Sequence, residues 1–316
     1  MTRLFRSLPV EPPDPCGCAV AIGAFDGVHL GHRRLLARAA TVAAERGLAA
    51  VALSFEPLPR EFFAPQAAPA RLTPARTRFE LMAAAGMDAV GLLRFDARLA
   101  AMPAAAFVDQ VLAGALAARH VVVGPGFRFG QGRAGDIDLL RTRGAALGFG
   151  VEEAPLVACA DGERISATRI RGALAAGDFE GAAALLGRPY AIAGKVVRGR
   201  QLGRKLGYPT ANIPVRWRPA VTGILAVRVH GAGLAGWPAV ASLGTRPTVG
   251  GGPAVLEAHL FDFEGDLYGR RLSVEFVAHL RGERRFDDLP AMVEQMHEDA
   301  RQARAVLAAP ALRASA

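Results

Sequence analysis

Cysteine is scarce in this chain, with Cys16, Cys18 and Cys159 the only three among 316 residues. An odd count without a second pair excludes a disulfide framework, and Cys16-Gly17-Cys18 is neither a CxxC redox pair nor half of a zinc site. Negative charge is also short: 29 Asp and Glu stand against 38 Lys and Arg, a formal net charge of +9. The arginines are scattered, with no long basic run and no interleaved aromatics, which argues against a nucleic-acid surface. An excess of this kind suits a protein that handles small polyanions. Long apolar runs are missing too. Arg or Pro interrupts each one before it could cross a bilayer, so no membrane span is expected. The first residues lack the apolar core and cleavage site of a leader, and the cytoplasm is the expected location.

Apolar residues, by contrast, make up 51% of the chain, enough for two domains each to bury a core. In the first half, Ala19–Phe25, Ala49–Phe55, Ala89–Phe95, His120–Gly124 and Val151–Val157 read as strands. Helices are expected between them at Arg33–Arg46, from Thr73-Pro74 to about Ala85, at Ala104–Ala118 and at Gly135–Leu147, with Thr73 as N-cap of the second. Apolar strands alternating with helices imply a parallel sheet covered on both faces. Helical pieces at Thr168–Ala176 and Phe179–Leu186 finish this half, and the boundary is expected at residue 188, giving domains 1–187 and 188–316. Beyond it, helical periodicity gives way to short strand-like segments: Tyr190–Val197, Gly223–Val229, Pro238–Leu243, Val255–Phe261 and Leu272–Val277. Glycine-rich turns between them suggest a closed barrel. A last helix, Leu289–Leu307, would bury Leu289, Met292, Met296 and Ala300 along one side.

Gly23-Ala24-Phe25-Asp26-Gly27-Val28-His29-Leu30-Gly31-His32 joins the first strand to the first helix. An α/β sheet binds ligands beyond the carboxyl ends of its strands, and a helix N-terminus there attracts phosphate. His29 and His32, three residues apart, can share one face and donate hydrogen bonds to a phosphoryl transition state. Two surface histidines beside a glycine turn are the plainer reading. A dehydrogenase is disfavoured, because the spacing is not GxGxxG and Ser54-Phe55-Glu56-Pro57 puts a proline loop where an acidic ribose ligand would end the second strand. In the second half, Gly199-Arg200-Gln201-Leu202-Gly203-Arg204-Lys205-Leu206-Gly207-Tyr208-Pro209-Thr210-Ala211-Asn212 is basic and punctuated by glycine. Thr210 and Asn212 alternate onto one side of an extended segment, where both oxygens could meet one Mg²⁺. It is not a Walker A loop, and a basic turn without ligand is the alternative.

Residues 22–32 resemble the HxGH segment of nucleotidyltransferases, in the form found in bacterial bifunctional riboflavin kinase/FAD synthetases. Phe127-Arg128-Phe129-Gly130 and Ile165-Ser166-Ala167-Thr168-Arg169-Ile170-Arg171 are similar to later segments of that family. The stretch ending in Gly207-Tyr208-Pro209-Thr210-Ala211-Asn212 is similar to its riboflavin kinase motif, and the similarity continues through Ser242–Thr248, Leu256–Phe263, Asp266–Gly269, Arg281–Phe286, Gln295-Met296 and Asp299. The resemblance implies an α/β protein: a Rossmann-like nucleotidyltransferase domain with a parallel sheet, then a six-stranded antiparallel β-barrel kinase domain with a terminal helix. It implies phosphorylation of riboflavin to FMN, and adenylylation of FMN to FAD with loss of pyrophosphate. A riboflavin kinase carrying a weakened or inactive adenylyltransferase module is the alternative.

By the same resemblance, His29 and His32 act on the ATP α-phosphate, Gly23, Phe25, Asp26 and Gly31 bind the nucleotide, and Ser166, Thr168 and Arg169 hold the departing phosphates. Gly203, Arg204, Lys205, Gly207, Pro209, Thr210, Asn212 and Arg246 would bind the kinase nucleotide, with Mg²⁺ on Thr210 and Asn212. Glu257 is the implied general base for the ribityl 5′-hydroxyl, a task a correctly placed carboxylate performs. The expected partners are small molecules, riboflavin, FMN and ATP, with no nucleic acid, no membrane and at most a transient homo-oligomer. Four positions depart from the family pattern. Leu58 stands for a histidine, Gly126 for an aspartate and Ala167 for a serine, with His120 and Asp136 as conceivable substitutes, and Leu225 stands for a tyrosine.

Overall fold

The computed structural model describes residues 1–159, 162–199, 207–245 and 254–309. Its contacts divide the chain into two units, Met1–Pro69 with Thr73–Ala167, and Ala70–Leu72 with Thr168–Ala316. The first unit is built on six parallel strands, β1 (Arg3–Phe5), β2 (Cys18–Ile22), β3 (Ala49–Glu56), β4 (Ala89–Arg94), β5 (Ala118–Val123) and β6 (Gly150–Glu153), in the order β1-β4-β3-β2-β5-β6. Its helices are α1 (Leu30–Arg46), α2 (Pro59–Phe63), α3 (Ala75–Ala84), α4 (Ala97–Ala100), α5 (Ala104–Ala106) with its π-helical continuation Phe107–Ala115, and α6 (Ile137–Leu147). Every residue of β2 is buried, because side chains leave it alternately into two cores. Cys18, Val20 and Ile22 pack with Val108, Leu112 and Leu140, whereas Ala19 and Ala21 pack with Leu36, Ala39 and Val42. The connections run outward through β3 and β4 on one side and through β5 and β6 on the other. The order therefore reverses at β2 and β5, whose carboxyl ends flank the crevice where such sheets bind ligands.

Several local expectations change. β2 stops at Ile22, because Phe25 has a left-handed φ of 50° and belongs to the turn. Pro74, not Thr73, stands at the N-cap of α3, and Thr73 serves another purpose described below. The helix expected over 104–118 is mostly π-helical. Its apolar residues recur at 107/108, 111/112 and 116, and Leu116 N donates to Val111 O five residues back. Ala118 already opens β5. The unanticipated β1 fits because Gly91 of β4 has no side chain where the Phe5 ring lies; a Cβ there would come within 2.5 Å of it.

The second unit begins with α7 (Ala167–Ala175) and α8 (Phe179–Leu186), the helices expected to close the first half; Phe179 of α8 packs edge-on against Phe276 of the barrel. The strands β7 (Ala191–Lys195), β8 (Ala211–Val215), β9 (Gly223–Gly231), β10 (Leu234–Thr245), β11 (Ala254–Leu260) and β12 (Arg271–Arg281) form an antiparallel sheet in the order β7-β12-β9-β10-β11-β8. Its ends meet where Val197 N donates to Asn212 O at 2.9 Å, so the barrel is nearly closed. Gly194 permits this closure, since a Cβ there would stand 2.4 Å from Ile213. α9 (Leu289–Ala308) is capped by Asp288 and covers the barrel through Ala300, Ala303 and Leu307. Leu289 is 54% exposed and does not join the expected stripe. Asp299 is buried instead, its two oxygens accepting from Arg281 Nε at 2.8 Å and Nη2 at 2.6 Å. Leu225 is fully buried in β9, so the position is filled by core packing.

Candidate active sites

The turn between β2 and α1 is held from beneath. Asp26 Oδ1 accepts from Thr73 N at 3.0 Å and from the Thr73 hydroxyl at 3.3 Å, while that hydroxyl accepts from Gly27 N at 2.9 Å. Ala24 O accepts from Ser54 Oγ at 3.0 Å and from the wholly buried Arg78 at 3.1 Å. Val28, like Phe25, has a positive φ, 42°, a conformation that bulky residues adopt only when surroundings impose it. Gly23 leaves room for the Phe25 ring, 3.2 Å from where its Cβ would be. Asp26 thus acts on the shape of the turn.

His29 is the N-cap of α1, its Nδ1 accepting from His32 N at 3.3 Å. The two imidazoles stack with centroids 3.7 Å apart, and the Phe25 ring meets His32 edge-on. Gly31 allows this, because a Cβ there would crowd the His29 ring at 3.2 Å. Burial, reinforced by His29 and by the Arg78 and Arg164 guanidiniums, pushes the His32 pKa well below the ordinary 6.5 and keeps the ring neutral. A paired neutral imidazole at a helix N-terminus is suited to donate to an anion without competing for its charge. Ser166 belongs to the first unit, which ends at Ala167, whereas Thr168 and Arg169 lie in the first turn of α7 in the second.

Leu58 is buried at the start of α2, and Gly126 adopts a left-handed φ of 69°. Ala167 opens α7. The two conceivable substitutes have partners of their own. His120 pairs across the sheet with Ala19, three residues before the carboxyl end of β5, and faces Glu152. Asp136 caps α6 by accepting from Leu139 N and bonds Arg128, which lowers its pKa. Phe129 and Gly130 are structural: Phe129 stacks on Phe127, and a Cβ on Gly130 would strike the Ala104 backbone at 2.5 Å.

In the barrel, Glu257 of β11 lies directly between Asn212 of β8 and Ser242 of β10, so these three residues share one face. Alternate residues of β11, Ala254, Leu256, Ala258 and Leu260, are buried, which leaves Glu257 and His259 on the opposite, partly exposed side. Asn212 Nδ2 donates to Thr210 Oγ1 and to Thr210 O, both at 3.1 Å, bringing the two candidate Mg²⁺ ligands together. Gly199 accommodates this pair; its Cβ would stand 2.5 Å from Asn212 Oδ1. Two neutral oxygens on one face fit a Mg²⁺ that takes its remaining ligands from phosphate and water. Gly207 has a left-handed φ of 81°, and Pro209 O accepts from His259 Nδ1 at 3.0 Å. Gly203, Arg204, Lys205 and Arg246 lie outside the described residues.

Sequence reasoning missed the cavity beside this face. It measures about 420 Å³ and is lined by Gly207, Tyr208, His259, Phe261 and, from α9, His297, Ala300, Arg301 and Arg304. The Tyr208 hydroxyl meets His297 Nδ1, and burial raises the tyrosine pKa. Arg304 stacks 4.2 Å above the Phe261 ring while pairing with Asp262, whose carboxyl it holds below the usual range. No local motif marks this cavity, because its walls come from three separate segments.

A family model for FAD synthetase matches residues 11–169, and one for riboflavin kinase matches residues 186–307. A bifunctional riboflavin kinase/FMN adenylyltransferase of Pseudomonas fluorescens is 48% identical over 310 residues, 98% of either chain. Its counterpart in Escherichia coli K12 is 44% identical over 289 residues, covering 91% of this chain and 92% of its own. A crystal structure described as a macrolide-efflux protein from Streptococcus pneumoniae aligns with a TM-score of 0.76 at 28% identity, over 95% of this chain and 99% of that one. Among the described residues, no helix is long and apolar enough to cross a membrane.

Proposed function

The chain belongs to the bifunctional riboflavin kinase/FMN adenylyltransferase family, and on that premise we propose which side chains carry each of its two reactions. It phosphorylates riboflavin to FMN with ATP, and it adenylylates FMN with a second ATP to give FAD and pyrophosphate. The functional division is drawn at 187/188, which leaves the whole Ile165–Arg171 segment with the adenylyltransferase.

For phosphorylation, Glu257 takes the proton of the ribityl 5′-hydroxyl as its oxygen bonds to the γ-phosphorus and the bond to the β-phosphate oxygen breaks. The register Asn212–Glu257–Ser242 carries this reading, because it sets one carboxylate beside the Thr210–Asn212 pair on a single face. Thr210 and Asn212 would hold Mg²⁺, which when bound offsets phosphate charge. Gly203, Arg204, Lys205, Gly207, Pro209 and Arg246 are assigned to the nucleotide. The flat flavin ring is assigned to the cavity, whose lining is rich in rings, with His259 only two residues from Glu257 along β11. Glu257→Gln should retain ATP binding and lose FMN formation; turnover at the wild-type rate would remove Glu257 from the base role.

For adenylylation, a phosphate oxygen of FMN attacks the α-phosphorus of ATP and pyrophosphate leaves. His29 and His32 donate to the oxygens that gain charge, an arrangement supported by their stacking at the N-terminus of α1. Gly23, Phe25, Asp26 and Gly31 keep the turn in shape, and Ser166, Thr168 and Arg169 are assigned to the leaving phosphates. Chromatography of protein given FMN, ATP and Mg²⁺ tests this half, with FAD and pyrophosphate expected in equal amounts. The cytoplasm fits this chemistry, since both steps draw on ATP.

A further inference from the structure

One buried charge of the first unit reaches the adenylyl-transfer turn from a distant helix. Arg78 in α3 is 0% exposed, the largest of the fully buried side chains. Its Nη1 donates to Ala24 O at 3.1 Å, and its Nη2 donates to Phe55 O at 2.8 Å and to Glu56 Oε2 at 2.7 Å. A guanidinium so far from water is tolerated only when several acceptors surround it. Here those acceptors belong to two different segments, the turn after β2 and the end of β3. The fork therefore ties together the two strand ends that flank the nucleotide turn.

We propose that Arg78 is a positioning residue for adenylyl transfer, holding the Gly23–Gly27 turn, and with it His29 and His32, in the geometry the α-phosphate requires. The inference rests on the reading that those histidines act on the α-phosphate. Three observations support it. Ala24 O receives two buried donors, Arg78 and Ser54, although Ala24 itself is exposed. The turn contains positive φ at Phe25 and Val28, so it would relax if its supports were removed. The Arg78 charge also acts on His32. The charged and titratable groups bearing on that ring are His29 from the start of α1, Arg78 from α3 and Arg164 from the segment before α7, and all disfavour protonation. A lysine could keep the charge but could not span Ala24 O, Phe55 O and Glu56 with one planar fork.

The test compares Arg78→Lys, Arg78→Met and His32→Ala in the full chain, measuring kcat and KM for FMN adenylylation across pH and riboflavin phosphorylation in the same preparations. Arg78→Lys should keep the wild-type acid limb of the pH profile but lose about tenfold to a hundredfold in adenylylation kcat, as small misplacements of reacting groups do. Arg78→Met should lose at least as much, and its acid limb should move to higher pH, because His32 then protonates more readily. Kinase activity should stay at the wild-type rate in both. Wild-type adenylylation kcat in Arg78→Lys overturns the proposal, even if Arg78→Met does not fold. An unmoved acid limb in a folded Arg78→Met overturns the electrostatic part. If His32→Ala itself forms FAD normally, the underlying histidine reading fails instead, so the two failures are distinguishable.

Discussion

The two proposed sites of this chain are built by different means. In the first unit the proposed working groups are a backbone turn, a helix N-terminus and a stacked pair of imidazoles. Most polar side chains nearby, Asp26, Thr73, Ser54 and Arg78, point into the protein and hold the turn. In the barrel the proposed working groups are side chains set by strand register, with Glu257 lying between Asn212 and Ser242 on the neighbouring strands. A site made from a turn depends on its hidden supports. A site made from strand register depends on which residues alternate outward, and a substitution there acts directly on the chemistry.

That contrast can be broken most sharply at Glu257. Glu257→Ala should lower kcat for riboflavin phosphorylation by about 10³-fold, within the range for loss of a general base, while FMN adenylylation stays intact; steady-state assays of both activities would reveal a smaller or shared effect. His29→Ala and His32→Ala should each lower FAD formation by about 10²-fold or more and leave FMN formation alone. Asp299→Ala removes one partner of a buried ion pair and should destabilise the second unit by about 3 kcal/mol, read as a lower denaturant midpoint without loss of FAD formation from FMN. Gly199→Ala should have the smallest effect, about a tenfold rise in KM for Mg-ATP in the kinase assay, because its Cβ displaces Asn212 and not the base.

The same contrast explains what could be read from the sequence. In the barrel, the alternation that sets Thr210 and Asn212 on one side was legible from the period of two, whereas Glu257 was implied only by the family resemblance. The strand–turn–helix outline around residues 22–32 was legible because strand, glycines and helix start follow one another directly. Its supports were not. Arg78 and Thr73 reach the turn from more than 40 residues away, and Thr73 next to Pro74 looks locally like a helix cap. The π-helix was hidden because its apolar residues pass for an α-helical stripe unless the extra residue per turn is counted. β8 was hidden by Pro209 just before it and Pro214 within it, and the packing of α7 and α8 with the barrel depends on contacts such as Phe179 to Phe276 that no local pattern encodes.

The central claim is that each reaction has its own residues, and one crossed experiment on two variants tests it most directly. Glu257→Gln given FMN, ATP and Mg²⁺ should make FAD at the wild-type rate, while His32→Ala given riboflavin, ATP and Mg²⁺ should accumulate FMN without FAD. Loss of both activities together in either variant would contradict the account.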